Sequence, residues 1–441
     1  MGTVTSDQQK LVLNAFSMLL QNNLVTADAV TWNEMDGEMD DLNGLQVIEQ
    51  TRPRYNVTRT TNGVKDLTAG TDGTVFGSEL FLIDGTFNVN MGWSDFVKIK
   101  SVGDARQSAA LLGASISMAE KIDAYIMQIA ALASADWVGD GSTSIDEWID
   151  AAAAYTRIKE NGVDDSDLSY VMNYTDQMKL GDQIVKLPAP DAFTTETYRK
   201  SFSGELNGLR TLFTNQLPIL TTGTRAASGA SLINGAAQNV NYSAVAKAGA
   251  SNGLRMSQTL SIDGLTAGHT VKAGEVFTVA NVLAYDNRKQ ANVSPARVQQ
   301  FTVLADATAN GGGAIAALSI FPAMIVPGSG AGDDININTA HATVNAAPAD
   351  NAQITWLGAA STALSPRVLI QKPAIVVNTA QLIMPANAPD AMRRKLKKVP
   401  ISVRMWPNSD FKTGDHGVRF DVALNANIRD RSRICRMNGN P

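Results

Sequence analysis

Residues 264–286, GLTAGHTVKAGEVFTVANVLAYD, alternate turn formers with a β-branched and aromatic run. Val271 and Lys272 precede an Ala273-Gly274 turn, and Val276, Phe277, Val279 and Val282 follow it, the pattern of strand, turn, strand. The hundred residues before this stretch carry mostly helical patterning. A β-rich block therefore sits inside a chain of different grammar, and its limits decide the organisation of the whole.

The block runs from about Gly223 to Ser365. Positions 221–365 hold 14 charged residues, about 10% against 18% for the chain, and are rich in Gly, Ala, Ser and Thr. Short runs such as VFTVANV, VQQFTVLA and AQITWLG, separated by turn-prone stretches, predict a compact barrel or sandwich. After Pro366 the earlier style resumes, with RVLIQKPAIVVNTAQLIMP and PISVRMW…GVRFDVALN as strands. The block reads as an insertion into a host domain whose two halves flank it.

Upstream, residues 104–134 form the strongest helix signal. Leu112, Ile116, Ala119, Ile122, Ile126 and Ile129 recur at three and four residues, predicting a rod of roughly 45 Å laid across a sheet. SIDEWIDAAAAYTRIKENG predicts a second helix, capped by Ser144 with Glu147 as capping-box partner and stopped at Gly162. LSYVMNY is a short buried strand and TDQMKLGDQIV another helix. In residues 51–93, RYNVTRT and FLIDGTFNVNMGW flank the turn-rich TNGVKDLTAGTDGT, which fits a long hairpin with little to bury. At the start, Ser6 caps DQQKLVLNAFSMLLQNN, with Leu11, Ala15, Met18 and Leu19 on one face. That helix has no evident continuation into a core, so docking on another chain is expected.

The bulk numbers bound the rest. At 441 residues two or three domains are expected, and 44% hydrophobic content excludes global disorder. A net charge of −5 gives no overall attraction to nucleic acid or anionic membrane. The first 50 residues contain one basic residue, Lys10, against eight acidic ones, a net −7 that leaves about +2 for the remainder. Such an acidic arm suggests a basic partner. With Cys435 alone, no intrachain disulfide forms. The apolar stretch 109–135 carries Glu120, Lys121 and Asp123, which excludes it as a membrane span. The start does not read as a secretory signal, and MGTVTS reads as an ordinary solvated start, although it fits the loose myristoylation pattern.

No catalytic constellation emerges. His269, His341 and His416 lie far apart, and HExxH, CxxC, GxSxG and the P-loop are missing. DGEMDDLNG at 36–44 resembles a calcium loop at Asp36, Glu38 and Asp40, but Asp41 stands where the loop needs glycine, so a solvated acidic segment is the better reading. GGG at 311–313 and GSGAGDD at 328–334 read as loop tips with no following helix. RRKLKK at 393–398 and RDRSRICR at 429–436 lack interleaved aromatics, so charged surface or inter-subunit ion pairing is favoured over phosphate contact.

The order of parts resembles a tailed-phage major capsid protein of the HK97 fold, and the insertion narrows the resemblance to the P22-type coat proteins. GLRTLFTNQLPILTTGT (208–224) resembles that family's approach to its insertion domain, and LTAGHTVKAGEVFTVANV (265–282) its strand pair. ATVNAAPADNAQITWLG and VLIQKPAIVVNTAQLIMP resemble the return to the host domain. The similarity covers about 150 residues; the first 200 agree in architecture more than in residues.

The resemblance implies an α+β chain: an acidic arm (1–50), an E-loop β-hairpin (51–93), a P-domain with spine helix and the first part of the A-domain (94–222), an all-β, barrel-like I-domain (223–363), and the remainder of the A- and P-domains (364–441). It implies no catalysis, no cofactor and no metal. The expected partners are copies of the chain, as hexamers and pentamers of an icosahedral shell, a scaffolding protein, a portal protein, a decoration protein and packaged double-stranded DNA held by weak non-specific contact. No membrane is involved, and the location is the virion after assembly in the host bacterial cytoplasm. Candidate scaffold-binding acids are Asp7, Asp28, Glu34, Asp36, Glu38, Asp40 and Asp41; candidate intercapsomer contacts are Arg52, Arg54, Arg59, Lys65, Asp66, Asp333 and Asp334. The alternatives are an encapsulin-like compartment shell and, in a different class, a β-rich binding or adhesin module.

Overall fold

The computed structural model describes residues 6–39, 45–50, 78–83, 85–92, 108–134, 136–139, 145, 147–186, 205–225, 231–242, 257–286, 289–332, 334–384, 391–396, 398–409 and 416–439. The architecture is α+β and rich in sheet.

The first sheet runs in the order Thr31–Met39, Ile375–Leu382, His416–Ile428, Ser402–Ser409, Met392–Lys395, with Thr86–Gly92 also pairing to His416–Ile428. On the long strand Val418, Phe420, Val422, Leu424, Ala426 and Ile428 alternate inward and form one core with helices α1 (Ser6–Asn23) and α2 (Ala109–Ala133). Phe16 of α1 stacks on Phe420 with ring centroids 4.1 Å apart. The opening helix is thus part of the subunit's own core, contrary to the expected docking on another chain. Its inward face is Val12, Leu13, Phe16 and Leu20, whereas Met18 is exposed.

Helix α2 lies within the segment where the spacing predicts a helix. Ala119, Ile122, Ile126 and Ile129 are buried as expected, but Leu112 and Ile116 are exposed and Leu111, Ser115 and Met118 point inward instead. Asp123, buried on this helix, accepts from the backbone N–H of Val25 (3.0 Å) and Thr26 (3.2 Å) and from the Thr26 hydroxyl. Burial pushes its carboxyl above the usual range, with the Thr26 bonds opposing. The charge that disqualified a membrane span fixes the turn after α1.

The second sheet runs Trp137–Val138, Ile434–Gly439, Ala363–Gln371, Leu168–Met172, Leu209–Phe213, Glu205–Leu206. Both faces are covered, which is why Leu168–Met172 is buried at every position. Val171, Val368, Ile370 and Ile434 face α2. Tyr170, Met172, Leu369, Cys435 and Met437 face α3 (Trp148–Glu160) and α4 (Tyr174–Lys186). Glu147, not Ser144, is the N-cap of α3, and Asp150 takes the capping-box role expected of Glu147, accepting from the Glu147 N–H at 3.4 Å. Gly162, at φ 74, ends the helix as read.

Residues 231–357 hold a third sheet, in the order Leu232–Ile233, Gln258–Asp263, Ile315–Phe321, Val298–Val303, Val276–Leu283, Ile354–Leu357. Its ends meet. Ile233 N–H donates to Ala352 O (3.0 Å) and Ile354 N–H to Ser231 O (2.9 Å), so the sheet closes into a barrel with no free edge there. The barrel has its own core of Leu260, Ile262, Phe277, Val279, Phe301, Leu318, Ile320 and Trp356. Leu220–Thr221 pairs with Ala363 and Leu364, tying the chain entering the barrel to the chain leaving it. Helix α5 (Asp334–His341) follows GSGAGDD, where no helix was expected; this polar eight-residue turn is held by tertiary bonds such as Asn338 Nδ2 to Ser329 O, 2.8 Å.

GGG is more than a loop tip. Gly313 has φ +76, and a Cβ there would collide with the carbonyl oxygen of Leu265, whereas Gly311 faces open space. Gly313→Ala is expected to destabilise the barrel by about 2 kcal/mol or more, with Gly311→Ala near neutral in thermal unfolding. Equal effects of the two substitutions would contradict this packing.

Residues 51–77 and 93–100, the tip and far flank of the expected hairpin, lie outside the described residues. The described stem pairs Leu45–Gln50 with Ser78–Ile83, from Leu45↔Ile83 to Gln50↔Ser78. Phe87, Val89 and Met91 pack against the main core, so this strand buries more than the expected hairpin.

Candidate assembly surfaces

The strand Thr31–Met39 runs parallel to Ile375–Leu382 and carries acids toward the basic run of 393–398. Glu38 pairs with Arg393 (2.9 Å), Glu34 with Lys395, and Asp28 with Lys398 (3.7 Å) and Arg210 (3.0 Å). Arg394 donates to Asn14 Oδ1 on α1. The acidic segment and the basic cluster thus pair within one chain, where charged surface or inter-subunit pairing was expected of the latter.

Glu34 is held below the ordinary carboxylate value by the Lys395 hydrogen bond, then by Gln381. Burial would raise Asp28, but the Arg210 hydrogen bond and the charges of Lys398, Arg210 and Lys372 outweigh it and leave it lowered. For depressed acids the stabilisation is present above the unfolded value and lost as pH falls through the folded one. Amide protection over residues 28–39 is therefore expected to fall below about pH 4 and to weaken in high salt. Unchanged protection between pH 7 and pH 3 would contradict these pairings.

Among the described residues three other ion pairs are buried. Arg367 grips Asp176 through Nε (2.7 Å) and Nη2 (2.9 Å), joining the second sheet to the first turn of α4. Arg404 pairs with Asp421 at 2.8 Å across the first sheet. Arg225 pairs with Glu275 and donates to Gly358 O (3.0 Å), while Glu275 accepts from Gly223 N–H (2.6 Å), a clasp across both ends of the inserted segment.

The barrel is seated on the body along one seam. Thr302 donates to Ser134 O (2.9 Å), Gln300 bonds both backbone groups of Trp137, and Arg297 pairs with Asp136 (3.3 Å) and Glu160 (3.1 Å). Arg436, fully buried, donates to Ala131 O near the α2 C-terminus (3.1 Å) and to Gly274 O of the barrel (2.8 Å), beneath the Trp137 ring. Burial pulls its guanidinium down to about 9, so it stays charged at neutral pH; one helix-end carbonyl and one barrel carbonyl take its two Nη groups, while its buried Nε has no hydrogen-bond partner. A groove of about 620 Å³ opens along this seam between Trp137, Arg157, Pro295 and Arg297. Among the described residues no group of acids, histidines or cysteines could hold a metal ion, and no helix is long and apolar enough to cross a membrane.

What these residues form is a two-sheet body with a closed barrel seated on it. A family model for the P22 coat protein (gene protein 5) matches residues 1–432. The chain belongs to the P22 coat protein family. It is a major capsid protein, a structural, non-enzymatic component that assembles with copies of itself into the virion shell. Solved structures resembling it include one described as Mycobacterium phage Che8 (11% identity, TM-score 0.39, 90% of this chain and 84% of that one). The mature capsid of bacteriophage PhiM1 gives 11%, 0.39, 93% and 85%, and the capsid of cyanophage P-SCSP1u gives 9%, 0.39, 94% and 88%. No curated protein matches the chain. The family rests on the sequence match, not on these distant likenesses.

In this coat protein, Asp7 is exposed and pairs with Lys10 at 3.6 Å. Asp36 lies on the strand with Glu34 and Glu38, and Asp334 begins α5. Asp40, Asp41, Arg52, Arg54, Arg59, Lys65, Asp66 and Asp333 lie outside the described residues. The sequence reading missed the exposed apolar side chains Trp148, Ile149, Tyr174 and Met178. For Trp148 and Ile149 the signal is DEWIDAAAA, where large apolar residues open a helix whose inward face is mostly alanine.

Proposed function

We propose that the chain is the repeating wall unit of an icosahedral phage head, arranged as hexamers and pentamers around double-stranded DNA, with the HK97-type organisation of arm (1–50), E-loop (51–93), spine helix, A- and P-domains and inserted I-domain (223–363). The observation that carries this is the coat-family match over nearly the whole chain. The closed barrel supports it, because an appendage with its own core presents loops outward without depending on the host sheets. Shell closure asks for many weak contacts, so that errors are reversed before they are locked in.

In this reading a basic scaffolding protein meets the N-terminal acids. Asp28, Glu34 and Glu38 are held by partners from distant parts of the chain, and Asp7 by exposed Lys10 three residues on; Asp7, Asp36, Asp40 and Asp41 are the acids to test first. The charged residues of the E-loop (Arg52, Arg54, Arg59, Lys65, Asp66) and Asp333 and Asp334 of the barrel serve contacts between capsomers. Portal and decoration proteins would complete the head, with assembly in the host cytoplasm. Gradient sedimentation after expression with and without a lysine-rich scaffolding protein tests this: uniform closed shells are expected with it and irregular products without it. Identical products in both cases would overturn the scaffold part, and no large particles in either would overturn the shell.

A further inference from the structure

Trp148, Ile149, Tyr174 and Met178 are 58%, 60%, 53% and 65% exposed. Connectivity places them together. Helix α3 runs back along the second sheet and returns through 161–167 into Leu168–Met172, and α4 starts one residue beyond that strand. Both helices pack on the same sheet face, with Ala151, Ala154 and Ile158 of α3 and Leu180 of α4 in one cluster with Tyr170 and Met172. The Tyr170 hydroxyl donates to Ala151 O at 2.9 Å, fixing the first turn of α3 beside the last residues of the strand. Both helix starts therefore flank the same sheet end, where Tyr174 also stacks on Phe213 at 6.4 Å.

We propose that this apolar patch at the starts of α3 and α4 is a contact surface for a second copy of this chain. The inference rests on the shell reading and names one surface it uses. At about 200 Å² per large side chain, the exposed fractions amount to roughly 470 Å², the size of the largest apolar patch on a typical monomer, which is often functional. A stable pair needs about 800 Å² on each side, so the patch is too small to hold a dimer alone. It suits one of several weak contacts in a closed assembly. Trp, Tyr and Met are residues that centre such contacts, and exposed Glu147 and Asp182 supply a polar rim. Heterologous contacts need a second, different surface on the same chain; Leu112 and Ile116, one turn apart on α2 and 39% and 36% exposed, offer one.

Ile149→Asp and Met178→Asp, each in the full-length chain, test the surface. Each is expected to lower the yield of sedimenting shells at least tenfold while thermal unfolding of the subunit stays as in the parent, and Met178→Leu restores assembly. Hydrogen exchange on the unsubstituted protein is the second arm: residues 147–152 and 174–180 are expected to gain protection on going from subunit to shell. Shells of normal yield from both aspartate variants would overturn the proposal while leaving the shell reading intact. So would equal exchange in subunit and shell, or full protection already in the subunit. Parent protein that forms no shells would overturn the shell reading itself.

Discussion

Asp176→Ala is expected to cost the subunit about 3–5 kcal/mol, because it leaves the buried guanidinium of Arg367 without its counter-charge. Both side chains are excluded from water, and Arg367 has two bonds to the carboxylate and one to Ser365 O at 2.7 Å. Asp176 also accepts from Asn173 N–H at 3.1 Å, so the same substitution uncaps α4. The loss is expected to appear as faster amide exchange over residues 168–186 and a lower unfolding midpoint. Removing both charges, as Asp176→Ala with Arg367→Met, is expected to recover most of it, since a buried pair replaced by apolar side chains is often near neutral. A single substitution within about 1 kcal/mol of the parent, or a double variant worse than the single one, would contradict the pairing.

Phe16→Ala is the second large effect. Phe16 is fully buried, stacked on Phe420 and part of the same core as Val422, Ile122 and Leu20, so truncation removes contact area and leaves a cavity worth about 3–5 kcal/mol. Protection over residues 6–23 is expected to collapse. Met18→Ala, on the exposed face, is the control and is expected to shift stability by about 0.5 kcal/mol or less. Equal effects at the two positions would mean that α1 is a detachable arm after all.

This helix marks the limit of what the sequence discloses. Leu11, Val12, Leu13, Ala15, Phe16, Met18, Leu19 and Leu20 are apolar nearly all round, so periodicity cannot choose a face. The choice is made by Phe420, four hundred residues away. Helix α2 shows the same effect in milder form: its inward stripe agrees with the spacing from Ala119 onward but is turned by about one residue at Leu112 and Ile116. The β-rich block was legible because turn chemistry and alternation are local properties. Its closure by Ile233 and Ala352, 119 residues apart, was not.

Ion pairing was the least legible part. Asp176 and Arg367 are separated by 191 residues, and no short motif announces them. The acidic opening and the basic run at 393–398 are both conspicuous, yet the first reads as needing an external partner and the second as charged surface or an inter-subunit contact. Only the parallel pairing of Thr31–Met39 with Ile375–Leu382 brings Glu34 and Glu38 within reach of Lys395 and Arg393. Charge asymmetry in a sequence signals a partner but does not say whether that partner lies on another chain.

The central claim is that a prefolded subunit, with two sheets and a closed barrel already in place, builds a closed shell from copies of itself. Electron cryo-microscopy of particles from the chain expressed together with a scaffolding protein tests it most directly. The account predicts hollow particles of icosahedral symmetry whose wall is this chain, with α1 packed under Phe420 of its own subunit. Filaments, isolated subunits, or a wall in which α1 is exchanged between neighbours would contradict it.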